Sequence, residues 1–222
     1  PNQIDHTIQW ARDLFEELYR NNPEEVNVYL TTPDYAAEIN KQRNLKLQRA
    51  KTVATYLQKE RPTSFEDCIR LARLRFEGSF ANNIKQLLHK FPLDMMTGDP
   101  PKPFWSGTRK PPTPLVFSMD DATHMAFVVS AANLYATVYG IKGTTDESIF
   151  RATLPSVTVP EFNPDTSVKI ATTDEEAKEL AKEQAEVEGL DEECERVLAS
   201  VPPAASLAGL RLQPEEFEKD DD

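Results

Sequence analysis

Glycine is scarce in this sequence, with seven in 222 residues, and none falls into a GxGxxG or GxxxxGK[ST] pattern. That removes the usual backbone cradles for nucleotide phosphates, so the segment is not expected to bind ATP by itself. Cysteine is scarcer still. Cys68 and Cys194 lie far apart, with no CxxC pairing, which gives neither a disulfide framework nor a zinc signature. A reducing compartment, cytosol or nucleus, is the expectation. Long apolar runs are also missing. The best stretch, "MAFVVSAANLYATVYGI", is broken by Ser130, Asn133 and Thr137, short of the roughly 18 apolar residues that span a bilayer. Membrane residence is therefore not expected. Basic residues are outnumbered, 25 against 37 acidic, for a formal charge of −12. Such a field repels phosphate backbones and excludes counterion-driven nucleic-acid binding, and it favours a basic or charge-mixed protein partner.

What is present is helix. The hydrophobic share of 39% suffices for a core, and the length suits one domain or two small ones. Ile4, Ile8, Ala11, Leu14, Phe15 and Leu18 recur at spacings of three and four, which predicts an amphipathic helix over 4–19, with Asn2 as its cap. Pro23 and Pro33, each followed by acidic residues, predict two short helices. A longer helix is expected over 41–60. Thr63 and Glu66 read as a capping box ahead of a stripe of Phe65, Ile69, Ala72, Phe76 and Phe80, with Cys68 beside it.

The stretch "FPLDMMTGDPPKPFWSGTRKPPTPLVF" holds seven prolines and two glycines in 27 residues. No continuous helix can form there, so a long extended surface loop is expected, pinned by Phe104 and Trp105. Residues 120–140, from Asp120 or Asp121 to Gly140, are apolar round most of their circumference and predict a buried central helix. A short helix near 145–154 follows. The β-branched, proline-punctuated run "SVTVPEFNPDTSVKIA" then predicts extended connections with at most one or two short strands. Residues 172–200, rich in Ala, Glu and Lys and led by Thr173, predict an exposed or partly disordered helix pair. The terminal "LAGLRLQPEEFEKDDD" predicts an extended segment with no closing element of its own. The fold class is thus mainly α: an irregular multi-helix bundle with a long Pro-rich loop and one or two short strands.

The chemistry of the residues present is sparse. Cys68 sits mid-helix beside the apolar stripe, where thiols act as small hydrophobes. Cys194 is flanked by Glu192, Glu193 and Glu195, which disfavour a thiolate. His6, four residues before Trp10, and His124, just after a cap, read as packing or capping groups, and His89 has no partner in sequence. On the residues alone, three readings stay open. They are part of a larger enzyme, a non-catalytic acidic helical protein-binding module, or a cysteine hydrolase built on Cys68.

The strings "PNQIDHTIQWARDLFE", "PFWSGTRKPPTPLVF", "AANLYATVYGIKG", "VPEFNPDTSVKI" and "LAGLRLQPEEFEKDDD" occur in order from residue 1 to residue 222. Together they resemble the second catalytic-cysteine half-domain of eukaryotic ubiquitin-activating enzymes. In that family the active-site signature ends on a proline six positions after the nucleophilic cysteine, just before an Asn-led helix. Pro1 and Asn2 match those two flanking positions. The resemblance implies that the nucleophile lies six residues upstream of Pro1, so none of the 222 residues is catalytic. It implies a single half-domain over 1–222, with a helical core over about 1–160, an acidic segment at 172–200 and a return to the adenylation domain over 204–222. It further implies ATP and Mg²⁺ in the parent enzyme but no cofactor here, with ubiquitin, ubiquitin-conjugating enzymes and the adenylation domain of the same polypeptide as partners. A cytoplasmic and nuclear protein, inactive as this segment alone, is the corresponding expectation. The helix that starts near Asn2 is a candidate to stabilise the upstream thiolate through its dipole.

Overall fold

The computed structural model describes residues 4–172, 174–185 and 189–217. Pro1, Asn2 and Thr173 lie outside these residues, as does the terminal run after Phe217. The fold is mainly α, as expected.

The first helix, α1 (Ile4–Phe15), does not stop before Pro23. It runs through a π turn (Glu16–Asn21) straight into α2 (Asn22–Thr31). A proline inside a helix has no N–H for the carbonyl four residues back, which here is Tyr19. That oxygen accepts instead from the Glu215 N–H at 2.8 Å, and the neighbouring Leu18 oxygen accepts from the Tyr56 hydroxyl at 2.6 Å. Long-range partners thus hold together a helix that local sequence would have broken.

After α3 (Tyr35–Asn40), capped by the Asp34 carboxylate, α4 (Lys46–Ala54) continues as a π turn (Thr55–Lys59). The helix expected from residue 41 begins later, because 41–45 form turns. Next comes α5 (Phe65–Glu77), which passes through a third π turn (Gly78–Asn82) into α6 (Asn83–Lys90). Its capping box is one residue later than the sequence suggested. Ser64 accepts from the Asp67 N–H, and the Asp67 carboxylate accepts from the backbones of Ser64 and Thr63 and from the Thr63 hydroxyl. Thr63 thus serves the box from outside, and Glu66 stays exposed.

The Pro-rich stretch is the expected loop, but it also holds the molecule's short strands. Met96–Thr97 (β1) pairs antiparallel with Lys102–Pro103 (β2), whereas 157–171 is an extended connection without a strand, within the expected limit of one or two. Phe104 stacks on Phe91 at 4.8 Å, and the Trp105 indole N–H donates to the Phe91 carbonyl at 2.9 Å. The loop is therefore pinned at its own base. It rejoins the body where the Leu115 N–H meets the Phe80 carbonyl and Phe117 packs edge-on to Phe76.

The central helix, α7 (Ala122–Val138), is capped by Asp121 and ends at Gly140, whose φ of 67° suits glycine. It packs along α5, with Met125, Val128, Ala131, Ala132, Tyr135 and Ala136 buried in one cluster with Cys68, Ile69 and Ala72, while Phe76 meets His124 and Phe127 edge-on. The alanines let the two helices approach closely. The short α8 (Glu147–Thr153) buries Phe150 against Phe65.

The acidic segment departs from expectation in one half. In α9 (Asp174–Ala185), residues 175–179 are exposed as predicted. By contrast α10 (Leu190–Ser200) docks on α4, burying Cys194 and pairing the buried Lys46 ammonium with Asp191. Few large apolar groups were visible there, but Cys194, Val197, Leu198 and Val201 all reach the core cluster.

The final run also differs from its reading. It closes the body rather than trailing from it. Leu212 is fully buried, and its N–H and carbonyl both bond the Asn27 amide at 2.9 Å. Beyond it the Gln213 N–H takes the Val138 carbonyl at 2.8 Å, and the Phe217 ring lies 5.5 Å from that of Phe15.

Candidate functional site

The positions singled out as flanking an active site, Pro1 and Asn2, lie outside the described residues. What can be placed is their mount. α1 begins at Ile4 and carries no buried residue along its twelve positions. Trp10 meets Phe80 edge-on at 6.0 Å, and at the far end Arg12 lies over Phe217 while Phe15 and Tyr19 join the aromatic packing. The start of α1 is thus displayed outward from a body that grips its second half.

Both thiols are free and buried. Cys68 is wholly buried on α5, and loss of solvation, with Asp67 and Glu66 adding to it, pushes its pKa up to about 12. Very little thiolate remains at neutral pH. Cys194 is also buried, its Sγ 3.9 Å from the Lys46 carbonyl oxygen. Its pKa too is raised, chiefly by burial, with Glu195 contributing and Lys46 opposing. The sequence reading blamed the acidic neighbours, but burial is the larger cause.

The histidines do not join them. His6 and His89 are exposed, whereas His124 lies 4.7 Å from the Phe76 ring, with its Nδ1 accepting from the Ser118 N–H at 3.2 Å. It packs and caps, as its sequence position suggested. Among the described residues no group of three or more His, Cys, Asp or Glu could hold a metal ion.

A cleft of about 640 Å³ lies between the first π turn, α4 and α10 and is lined by Tyr56, Glu60 and Arg75 among others. These three side chains are already engaged. Arg75 donates to Glu60 at 3.2 Å and to the Tyr135 hydroxyl at 3.3 Å, while the Tyr56 hydroxyl is spent on Leu18. Burial raises the pKa of Tyr19, Tyr56, Tyr135 and Tyr139, so these phenols stay protonated; the Tyr56 and Tyr139 hydroxyls donate to the Leu18 and Tyr56 carbonyls, while that of Tyr135 accepts from Arg75. The cleft is lined by a structural polar network and by neither of the two thiols.

Sequence reasoning missed the seam that fixes the return segment. Asn27 and Leu212 are 185 positions apart, and only the alternation in "GLRLQP" hinted that Leu212 pointed inward. It also missed the pairing of Lys46 with Asp191, which no local pattern announces.

Comparison with known proteins identifies the family. The family described as "Ubiquitin-activating enzyme, SCCH domain" matches residues 1–222. Ubiquitin-activating enzyme E1 1 of Schizosaccharomyces pombe is 43% identical over 223 residues, covering all of this chain and 21% of that protein. Ubiquitin-like modifier-activating enzyme 1 of Dictyostelium discoideum is 43% identical over 224 residues, with 22% of it covered. The protein of that name in Homo sapiens is 40% identical over 223 residues, with 20% covered. The chain spans about a fifth of the length of the curated relatives it matches. The matching extends over every residue, so the chain belongs to the ubiquitin-activating enzyme SCCH domain family.

Proposed function

We propose that this chain is the helical mount of an acyl-carrying cysteine that lies just upstream of Pro1, in a full-length ubiquitin-activating enzyme. The observation that carries this reading is the contrast between its thiols and its first helix. Both sulfurs are sealed in the core with raised pKa values, while α1, which the family resemblance places directly after the nucleophile, faces outward.

In this reading the enzyme adenylates the ubiquitin C-terminus, and the upstream thiolate attacks the acyl-adenylate carbonyl. A thioester forms and AMP leaves. A conjugating enzyme's thiolate then attacks that thioester, and the enzyme's thiolate departs. Covalent catalysis of this kind divides one hard acyl transfer into easier steps. ATP and Mg²⁺ do not fit this chain's own residues, which offer no glycine-rich cradle and, where described, no acidic metal cluster. They are assigned to the remainder of the polypeptide, and no step is routed through them here.

What these residues supply is placement. The helical run 4–31 is locked to the return segment through Tyr19, Asn27 and Phe15, so the incoming and outgoing stretches are fixed to each other. The mount can then be carried between partners as one body. Ubiquitin, conjugating enzymes and the adenylation domain are the proposed partners, and cytosol and nucleus, where free thiols stay reduced, the proposed compartments. The test is to give the full-length enzyme ATP and ubiquitin. A ubiquitin adduct cleaved by thiol reductant is expected, and it should survive Cys68→Ala and Cys194→Ala. Loss of the adduct in either variant, with the fold intact, would defeat the reading.

A further inference from the structure

The two ends of α10 are held by different forces. Its first turn is held by charge. Asp191 takes both the buried Lys46 ammonium and, at 3.3 Å, the Arg43 guanidinium, and Glu193 pairs with Lys51 at 2.7 Å. Gly189 at the N-cap supplies no capping side chain. The far end is held by neutral bonds and packing. Val201 is buried, the Tyr29 hydroxyl donates to the Pro202 carbonyl at 2.9 Å, and the Gln58 amide donates to the Ser200 carbonyl. Pro202 and Pro203 follow, so the helix cannot continue. Cys194 sits close to a helical turn after Asp191, with its Sγ 3.9 Å from the Lys46 carbonyl oxygen of α4.

The charged end is poised rather than tight. Lys46 is 4% exposed whereas the Asp191 side chain is 53% exposed, so the pair takes an ammonium out of water and gives it a half-solvated carboxylate. Desolvation offsets much of the attraction in such a pair, and lifting the turn returns Lys46 to water. The Arg43 and Lys51 pairs lie at the surface, where solvent and salt screen them. A cavity of about 420 Å³, lined by Ile39, Lys46, Cys194 and Leu198 among others, leaves the contact with α10 incompletely filled.

We infer that α10 is an electrostatic latch. Its first turn lifts from α4 in a local opening when the Asp191 and Glu193 carboxylates are screened or lose their partners, while its far end stays anchored at Val201. The opening uncovers Lys46 and Cys194 and leaves α5 and α7 packed. None of this depends on the thioester chemistry proposed above.

The native thiols report the latch. The full-length protein receives a pulse of the uncharged reagent N-ethylmaleimide, and mass spectrometry reads the Cys194 and Cys68 peptides, each against the urea-unfolded protein at the same salt. Local opening makes Cys194 react about tenfold or more faster than Cys68, which waits for the core to open. Raising NaCl from about 0.05 M to about 0.5 M shortens the screening length from about 14 Å to about 4 Å, and should speed Cys194 about three- to tenfold with Cys68 unchanged. Asp191→Ala strands the ammonium and should speed Cys194 about a hundredfold. Lys46→Met removes the buried charge and should leave Cys194 no faster than in the parent, with a weaker response to salt. A probe at the anchored end, Val201→Cys, should label more slowly than Cys194. Equal rates at Cys194 and Cys68 overturn the inference, because α10 then opens only with the whole domain. A Cys194 rate that ignores salt overturns it too, because apolar packing is then the hold. So does a faster Cys194 in Lys46→Met, or a Val201→Cys thiol that labels as fast as Cys194. Should Asp191→Ala not fold, the salt response of the unmodified protein still decides.

Discussion

Truncating Leu212 to alanine tests whether the return segment belongs to the core. Leu212 is fully buried, and its backbone is clamped on both sides by the Asn27 amide, so the segment cannot slide inward to fill the space. Large-to-small changes at such sites cost about 2–5 kcal/mol, and poor collapse places this one at about 3 kcal/mol or more. For a chain of this size each kcal/mol lowers Tm by about 2–4 °C, giving a drop of about 6–12 °C. Asn27→Ala removes both partners of the clamp, and leaving the Leu212 N–H and carbonyl unpaired costs about 1–3 kcal/mol for each group. The two sites share their bonds, so the double variant should be less destabilised than the sum of the singles. Urea unfolding followed by circular dichroism measures all three. A Leu212→Ala loss under about 1 kcal/mol would refute the reasoning, since a segment that merely lies on the surface loses little when trimmed.

Two further perturbations follow from single contacts. Backbone and side-chain bonds from Thr63, and the backbone bond from Ser64, hold the Asp67 carboxyl below its usual pKa. Its stabilising effect is therefore present above the unfolded carboxylate pKa and is lost as pH falls through the lower folded value. Asp67→Asn should cost about 1 kcal/mol at pH 7, with the gap to the parent narrowing in acid, as urea midpoints across pH 2.5–7 would show. At the α4 and α10 contact, Asp191→Ala leaves the Lys46 ammonium buried without its carboxylate and should cost about 3 kcal/mol. Lys46→Met removes the buried charge itself and should stay within about 1 kcal/mol of the parent in the same unfolding assay.

Much of the fold was legible because the signals were local. Asp121 and Gly140 bracket α7 by capping chemistry, the prolines between 91 and 117 forbid a helix, and the Ile69, Ala72 and Phe76 stripe marks the face of α5 that is buried. Two of the misreadings share one cause, which is long-range compensation. Pro23 reads as a break, yet the helix passes through because Glu215 and Tyr56 satisfy the carbonyls left over in its π turn. The acidic run around Asp191 reads as solvated, yet the Lys46 ammonium gives one of its carboxylates a partner and draws α10 onto the core. The shift of the capping box from Thr63 to Ser64 has a smaller reason. Both residues are competent caps, and only the observed hydrogen bonds show which one begins the helix. For the candidate site, the proposed upstream nucleophile rests on the family resemblance alone, through Pro1 and Asn2. Burial of Cys68 and Cys194 supplied the physical ground for setting the visible sulfurs aside.

The central claim, that the acyl-carrying sulfur lies outside these 222 residues, is tested most directly by locating the thioester. The full-length enzyme is charged with ubiquitin and ATP, its remaining thiols are alkylated, and the adduct is released with hydroxylamine. The newly freed cysteine is then tagged and mapped by mass spectrometry. The account predicts the tag on a peptide upstream of Pro1, with Cys68 and Cys194 untouched. A tag on either Cys68 or Cys194 would contradict it.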